Sequence, residues 1–137
     1  MIAYLDSSVL LRIVLGQPNK LKEWGSIEIG VASVLVEVEC LRTLDRLRLS
    51  HLPDTELALR REAIFRLTEE MEMVEPSNVV LARASQPLPT ALGTLDAIHL
   101  ATALLWRERG GPEVVMTTHD VALGVAARAC GFRVFGS

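Results

Sequence analysis

Short apolar runs alternate with longer amphipathic segments along the whole chain. Ile2 to Leu5 is an apolar run ending at Asp6-Ser7-Ser8, the pattern of a buried strand running into a helix cap. A helix over Ser8 to Leu15 should stop at Gly16-Gln17-Pro18, and a second short helix is expected over Asn19 to Trp24, closed by Gly25. Ile27 to Val31 reads as a strand, after which Ser33 caps a helix running to about Leu49. Pro53-Asp54-Thr55 opens another helix, to about Glu70, and Met71 to Val74 makes a short strand. Pro76-Ser77 starts a helix ending near Pro87, and Gln86 to Gly93, with two prolines, is the clearest loop.

The next helix carries apolar residues at 95, 98, 100, 101, 103, 104 and 105, so most of its circumference should be buried. It extends to Arg109 and is stopped by Gly110-Gly111-Pro112. Val114 to Thr117 is the most strand-like segment. A last helix begins at Thr118 or His119 and ends at Gly131, and Phe132 to Phe135 closes the chain as a strand. Strands alternating with helices throughout predict an α/β fold, a central parallel β-sheet flanked by helices on both faces.

Composition narrows the picture. With 137 residues, half of them hydrophobic, a single domain over residues 1–137 has enough chain to cover both faces of a sheet. The longest apolar stretches are broken by Arg12, Glu37 and Glu39, short of a bilayer span, and Asp6 interrupts any signal-peptide core, so no membrane segment and a cytoplasmic location are expected. Cys40 and Cys130 have no Cys-x-x-Cys spacing and read as reduced, buried thiols. A formal charge of −3 argues against a purely electrostatic nucleic-acid binder. Twelve of the fourteen basic residues are Arg, the side chain best suited to bidentate phosphate contacts, although base composition of the genome accounts for the same bias.

Four acids then stand out. In an open parallel sheet the ligand crevice lies outside the carboxyl ends of the strands. Asp6 ends the first strand, Asp120 lies just past the Val114 strand, and Asp96 sits in the first turn of the helix after the 86–93 loop. Each also has an ordinary explanation. Asp6 fits a cap, and Asp96 and Asp120 each follow a Thr by two residues, where an acid favours the helix dipole.

Glu39 lacks that explanation, since it lies about two turns into its helix. Helical spacing groups 35, 39, 42 and 46 on one stripe and puts Glu37 with Leu41 and Leu44, so Glu39 is preferred over Glu37, with an intrahelical pair to Arg42 as the plain alternative. Carboxylates converging without a cation repel one another. An oxygen-only set suits Mg²⁺ or Mn²⁺, and there is no His or Cys set for zinc. His99, one turn from Asp96, reads as a packed helix residue, and His119 stands where it can orient Asp120.

At this point the chain resembles the PIN-domain ribonucleases, in particular the VapC-type toxins of toxin-antitoxin pairs. The matching stretches are Tyr4-Leu5-Asp6-Ser7-Ser8, Ser33 to Leu44, Thr94-Leu95-Asp96-Ala97-Ile98-His99-Leu100-Ala101-Thr102-Ala103, Thr117-Thr118-His119-Asp120, and Ala126-Ala127-Arg128-Ala129-Cys130-Gly131-Phe132. The resemblance implies a PIN fold and a metal-binding and catalytic quartet of Asp6, Glu39, Asp96 and Asp120, with Thr118 and Ser7 as supporting polar groups. It implies hydrolysis of RNA phosphodiester bonds by an activated water, leaving a 5′-phosphate and a 3′-hydroxyl, with Mg²⁺ or Mn²⁺ as cofactor. Arg42, Arg46 and Arg12 become candidates for the RNA backbone. Setting the quartet aside leaves 13 acids against 14 basic residues, near neutrality. Where relatives often carry a basic residue before the Thr of the Asp96 stretch, this chain has Gly93.

The expected partners are an RNA substrate, a VapB-like antitoxin and a second copy of the chain in a homodimer. Asp54 to Glu70 aligns with the helices that commonly meet antitoxin or second subunit, and its Leu57, Leu59, Ala63, Ile64 and Leu67 exceed one narrow core stripe, with packing inside its own domain as the plain alternative. The alternative is a catalytically silent PIN scaffold acting only through protein binding. A phosphate-accepting receiver-like domain fits worse, because its chemistry needs a Lys late in the sheet and the lysines here are Lys20 and Lys22.

Overall fold

The computed structural model describes residues 1–111 and 113–137; Pro112, expected at a helix stop, lies outside them. In chain order the elements are β1 (Ile2–Leu5), α1 (Ser7–Val14), β2 (Ile29–Ser33), α2 (Leu35–Arg48), α3 (Asp54–Glu69), β3 (Glu72–Val74), α4 (Asn78–Ala84), α5 (Thr94–Glu108), β4 (Val115–Thr117), α6 (Val121–Ala129) and β5 (Val134–Phe135). The strands form one sheet in the order β3-β2-β1-β4-β5, and every neighbouring pair is parallel. All carboxyl ends therefore share one edge. The chain moves outward from β1 through β2 and β3, then returns to the other side of β1 with β4, so the strand order reverses beside β1. In an open parallel sheet such a reversal marks the ligand crevice, which here falls at the carboxyl ends of β1 and β4.

Period-two alternation divides the core between the two faces. Tyr4 and Val31 pack with Leu100, Leu104, Leu123 and Phe132 under α5 and α6. Their neighbours Leu5 and Ala32 pack with Val9, Val36, Leu44 and Ile64 under α1, α2 and α3. In α2 the buried stripe is Val36, Cys40 and Leu44, at intervals of four residues. Removing a side chain such as the fully buried Leu44 by mutation to Ala should cost about 2–5 kcal/mol. Among the described residues no helix is long and apolar enough to cross a membrane.

Several local expectations need correction. No α-helix forms over 19–24; one 3₁₀ turn occupies Trp24–Ser26, and Asn19 takes a left-handed φ of 59°. So short a segment between Pro18 and Gly25 cannot repay helix nucleation. β2 begins two residues later than expected, because pairing sets Ile2 against Ile29 and Tyr4 against Val31. Ser33 consequently ends the strand, its hydroxyl accepting the Leu35 N–H at 3.2 Å, and Glu39 lies one turn into α2 rather than two. α4 stops at Ala84, before the residue preceding Pro87, where the helical conformation is disfavoured. α6 ends where Gly131 adopts φ +87°, a conformation that costs glycine little. Cys40 is buried, and burial pushes its thiol up to about 12, whereas Cys130 is only half-buried.

Candidate active site

The crevice is laced together by side chains from β1 and β4. The Asp6 N–H donates to Thr117 O at 3.1 Å, extending the β1–β4 pairing by one residue and fixing the direction of the side chain. Asp6 is 3% exposed. Its carboxylate does not cap α1. Instead Oδ2 accepts the Ser8 hydroxyl at 2.6 Å and the Thr118 hydroxyl at 2.8 Å. Thr118 Oγ1 in turn accepts the Asp120 N–H at 3.0 Å, and Ser8 Oγ accepts the His119 N–H at 2.9 Å. Asp120, rather than Thr118 or His119, caps α6: its Oδ1 accepts the Leu123 N–H at 2.9 Å.

Glu39 enters from the other side. Its Oε1 meets His99 Nε2 at 2.5 Å, and its Oε2 accepts the Ser7 hydroxyl at 3.3 Å. His99 is fully buried and its Nε2 also lies 3.8 Å from Asp6 Oδ1. Behind it, Nδ1 is 2.7 Å from the hydroxyl of Tyr4, which accepts the Ser33 N–H at 3.3 Å. Burial is the first influence on both rings. It drives the Tyr4 phenol far above its ordinary value, so Tyr4 keeps its proton. For His99 burial alone would lower the value, but the bond to Glu39 and the charges of Asp6, Glu39 and Asp96 outweigh it, and the net direction is upward.

Asp96 is half-buried in the first turn of α5, whose N-cap is Gly93, so Thr94 provides no side-chain cap. Its carboxyl is raised to about 6, by burial first and then by the charges of Asp120, Asp6 and Glu39, with His99 opposing. All four acids are thus felt at one point. Both Glu39 oxygens are engaged, by His99 and Ser7, but the three aspartates keep oxygen to spare. Asp6 retains Oδ1 and Asp120 retains Oδ2 outside the hydrogen bonds just described, while hydrogen bonding does not figure among the influences on Asp96. Among the described residues no three His, Cys, Asp or Glu side chains are already gathered to ligand distance of one point. The acids border the crevice without closing a coordination sphere, and the donor set is of the oxygen-only kind that a hard divalent cation takes.

Other sequence candidates fall outside this cluster. Arg42 pairs with Asp45 at 3.2 Å, not with Glu39, because one helical turn carries it toward solvent. Arg46 donates to Thr43 and Arg12 to the Asn19 carbonyl, so no guanidinium of the three contacts the acids. His119 does not orient Asp120 through its ring; Nδ1 lies 2.9 Å from Gly136 O. The sequence reading missed Tyr4, Ser8 and the part played by His99. The spacing of Asp96 and His99, one turn apart on one helix, was the available signal. A cleft of about 600 Å³ between α4 and the 86–93 loop, lined by Leu81, Leu88, Leu92, Thr94 and Ile98, includes none of the four acids.

A parallel α/β sheet with an acid-lined crevice at the point of strand reversal defines the class of this molecule. Its sequence matches the PIN domain over residues 3–122, and the chain belongs to the PIN-domain family. Comparison with curated proteins gave no match. Among solved structures the fold is similar to that of VapBC2 from Rickettsia felis bound to a DNA fragment from their promoter, with a TM-score of 0.66, 10% identity and coverage of 98% of this chain and 97% of that one. It is also similar to PAE2754 from Pyrobaculum aerophilum, with a TM-score of 0.64, 17% identity and coverage of 97% and 82%.

Proposed function

We propose that this chain is a metal-dependent endoribonuclease, the toxin component of a toxin-antitoxin pair. The observation that carries the reading is geometric: in a PIN domain, Asp6 and Asp120 stand past the ends of β1 and β4, tied together through Thr118, and Glu39 is joined to the same place by His99, 3.8 Å from Asp6 and one turn from Asp96. Asp6 Oδ1, Asp120 Oδ2 and the Asp96 carboxylate would hold Mg²⁺ or Mn²⁺, with Glu39 beside them. A divalent cation held there would supply a nucleophile near neutral pH and neutralise charge on the phosphoryl oxygens. Ser8 and Thr118 hold Asp6 in place, and the Leu123 amide holds Asp120. Exposed Arg42 and Arg46 on α2, together with Arg12 on α1, are the proposed contacts to the RNA backbone.

The proposed partner is a VapB-like antitoxin, in keeping with the fold's likeness to VapBC2, and the chain is expected to form a homodimer. On α3, Ile64 is buried, with Leu57, Ala63 and Leu67 packed against the core, while Leu59 is 59% exposed and Phe65 38%. Each leaves apolar area exposed on α3, which we propose a partner would cover. The test is cleavage of RNA by the purified protein with Mg²⁺ or Mn²⁺, with EDTA, and after Asp96→Asn. Cleavage that needs the cation and disappears in the variant supports the proposal. Cation-independent activity, or activity kept by Asp96→Asn, contradicts it, and a protein inactive on every RNA that still captures a partner favours the silent scaffold.

A further inference from the structure

The acids of the crevice are mounted in two different ways, and the difference singles out His99. Asp6 and Asp120 follow directly from strand ends and are fixed by hydroxyls and a backbone amide within a few residues of those ends. Glu39 is reached by a longer side chain projecting from a helix, and its backbone ladder does nothing to aim the carboxylate. Its aim comes from outside α2, through Ser7 on one oxygen and His99 on the other.

We infer that His99 is a positioning residue, which uses its Nε2–H to hold Glu39 over the crevice while Tyr4 fixes the imidazole from behind. The inference rests on the functional reading above. Glu39 as a carboxylate can only accept, so the proton of the His99–Glu39 bond sits on Nε2. On the other side Nδ1 lies 2.7 Å from the Tyr4 oxygen, which also accepts the Ser33 N–H; the phenol donates to Nδ1 of a neutral ring and accepts from Nδ1–H of a charged one, so it holds the imidazole in either state. A hydrogen-bonded chain links Ser33, Tyr4, His99 and Glu39. The imidazole is fully buried on α5, one turn from Asp96, and the rings of Tyr4 and His99 meet edge-on at 68°, so neither ring can swing away. The chain joins the end of β2, the centre of β1, α5 and α2, the elements whose relative placement decides where Glu39 points.

A packing histidine would tolerate an apolar replacement of similar size; a positioning histidine would need its donor. The experiment compares Mn²⁺ binding, by calorimetry, in the unaltered protein, His99→Leu and His99→Gln, the last because the glutamine amide nitrogen lies where Nε2 does. His99→Leu is expected to bind Mn²⁺ roughly 10- to 100-fold more weakly, and His99→Gln to recover most of that loss. Nitrogen-15 spectra of the histidines in the unaltered protein provide a reading that does not depend on any variant folding: Nε2 of His99 should carry a proton. Equal affinity in His99→Leu, no recovery in His99→Gln, or an unprotonated Nε2 each overturns the inference while leaving the nuclease reading standing. Failure of the unaltered protein to bind Mn²⁺ overturns both.

Discussion

Thr118 Oγ1 donates to Asp6 Oδ2 across 2.8 Å, joining residues that are 112 positions apart in the chain. The same hydroxyl oxygen accepts the Asp120 N–H, so one threonine sets the distance between two of the four acids. Thr118 is fully buried, and the bond it makes is to a charged group, which places it among the stronger kinds of hydrogen bond.

Thr118→Val keeps the shape and removes both roles. It should cost about 1–3 kcal/mol of stability, since the Asp120 N–H and an Asp6 oxygen both lose a partner. Chemical denaturation checks the stability, and RNA cleavage under Mn²⁺ checks the site. Activity should fall further than stability alone explains, because Asp6 and Asp120 lose their common anchor.

The pH dependence of the metal-free protein follows from Asp96 and His99. Folding raises Asp96 to about 6, above its ordinary carboxylate value. Between that ordinary value and 6 the folded chain holds a proton that the unfolded chain has released, so rising pH through this window costs stability. His99 is also raised, and its contribution is complete below its ordinary value and lost as pH rises through its folded one. Both slopes have the same sign. The melting temperature should fall as pH rises from the ordinary carboxylate range through about 6 and on past the ordinary histidine value, and Asp96→Asn should flatten the lower part of the fall. Mn²⁺ should restore stability, more at the upper end, where no proton competes at Asp96. A melting temperature that rises across the window in the unaltered protein relative to Asp96→Asn would contradict the assignment.

Glu37 and Glu39 supply a contrast within one helix. Both are acids two positions apart, but only Glu39 contacts Ser7 and His99. Glu39→Gln should weaken Mn²⁺ binding by about tenfold or more, and Glu37→Gln should leave it unchanged. Titration calorimetry on the two variants measures this directly.

Reading the chain without coordinates recovered the strands, the long helices and the parallel sheet, because their apolar periods are set by burial. Asp6, Asp96 and Asp120 could be located in the same way, since strand ends and helix starts are marked by local residue type. The lacing could not. Ser8, Thr118 and Asp6 meet only after β4 pairs with β1, and that partnership is decided by tertiary packing. Tyr4 looked like strand filling and His99 like helix filling; their polar atoms acquire meaning from each other and from Glu39, 60 residues from His99 along the chain. For Arg42 the plain alternative of an ion pair with Glu39 does not form: Asp45, equally near in the helix, takes the guanidinium.

The central claim is that these four acids hold a divalent cation, and crystals soaked in Mn²⁺ test it most directly through an anomalous difference map. The account predicts a peak bounded by the carboxylates of Asp6, Asp96 and Asp120, with Glu39 alongside and still bonded to His99. No peak at saturating Mn²⁺, or a peak away from the carboxyl ends of β1 and β4, would contradict it.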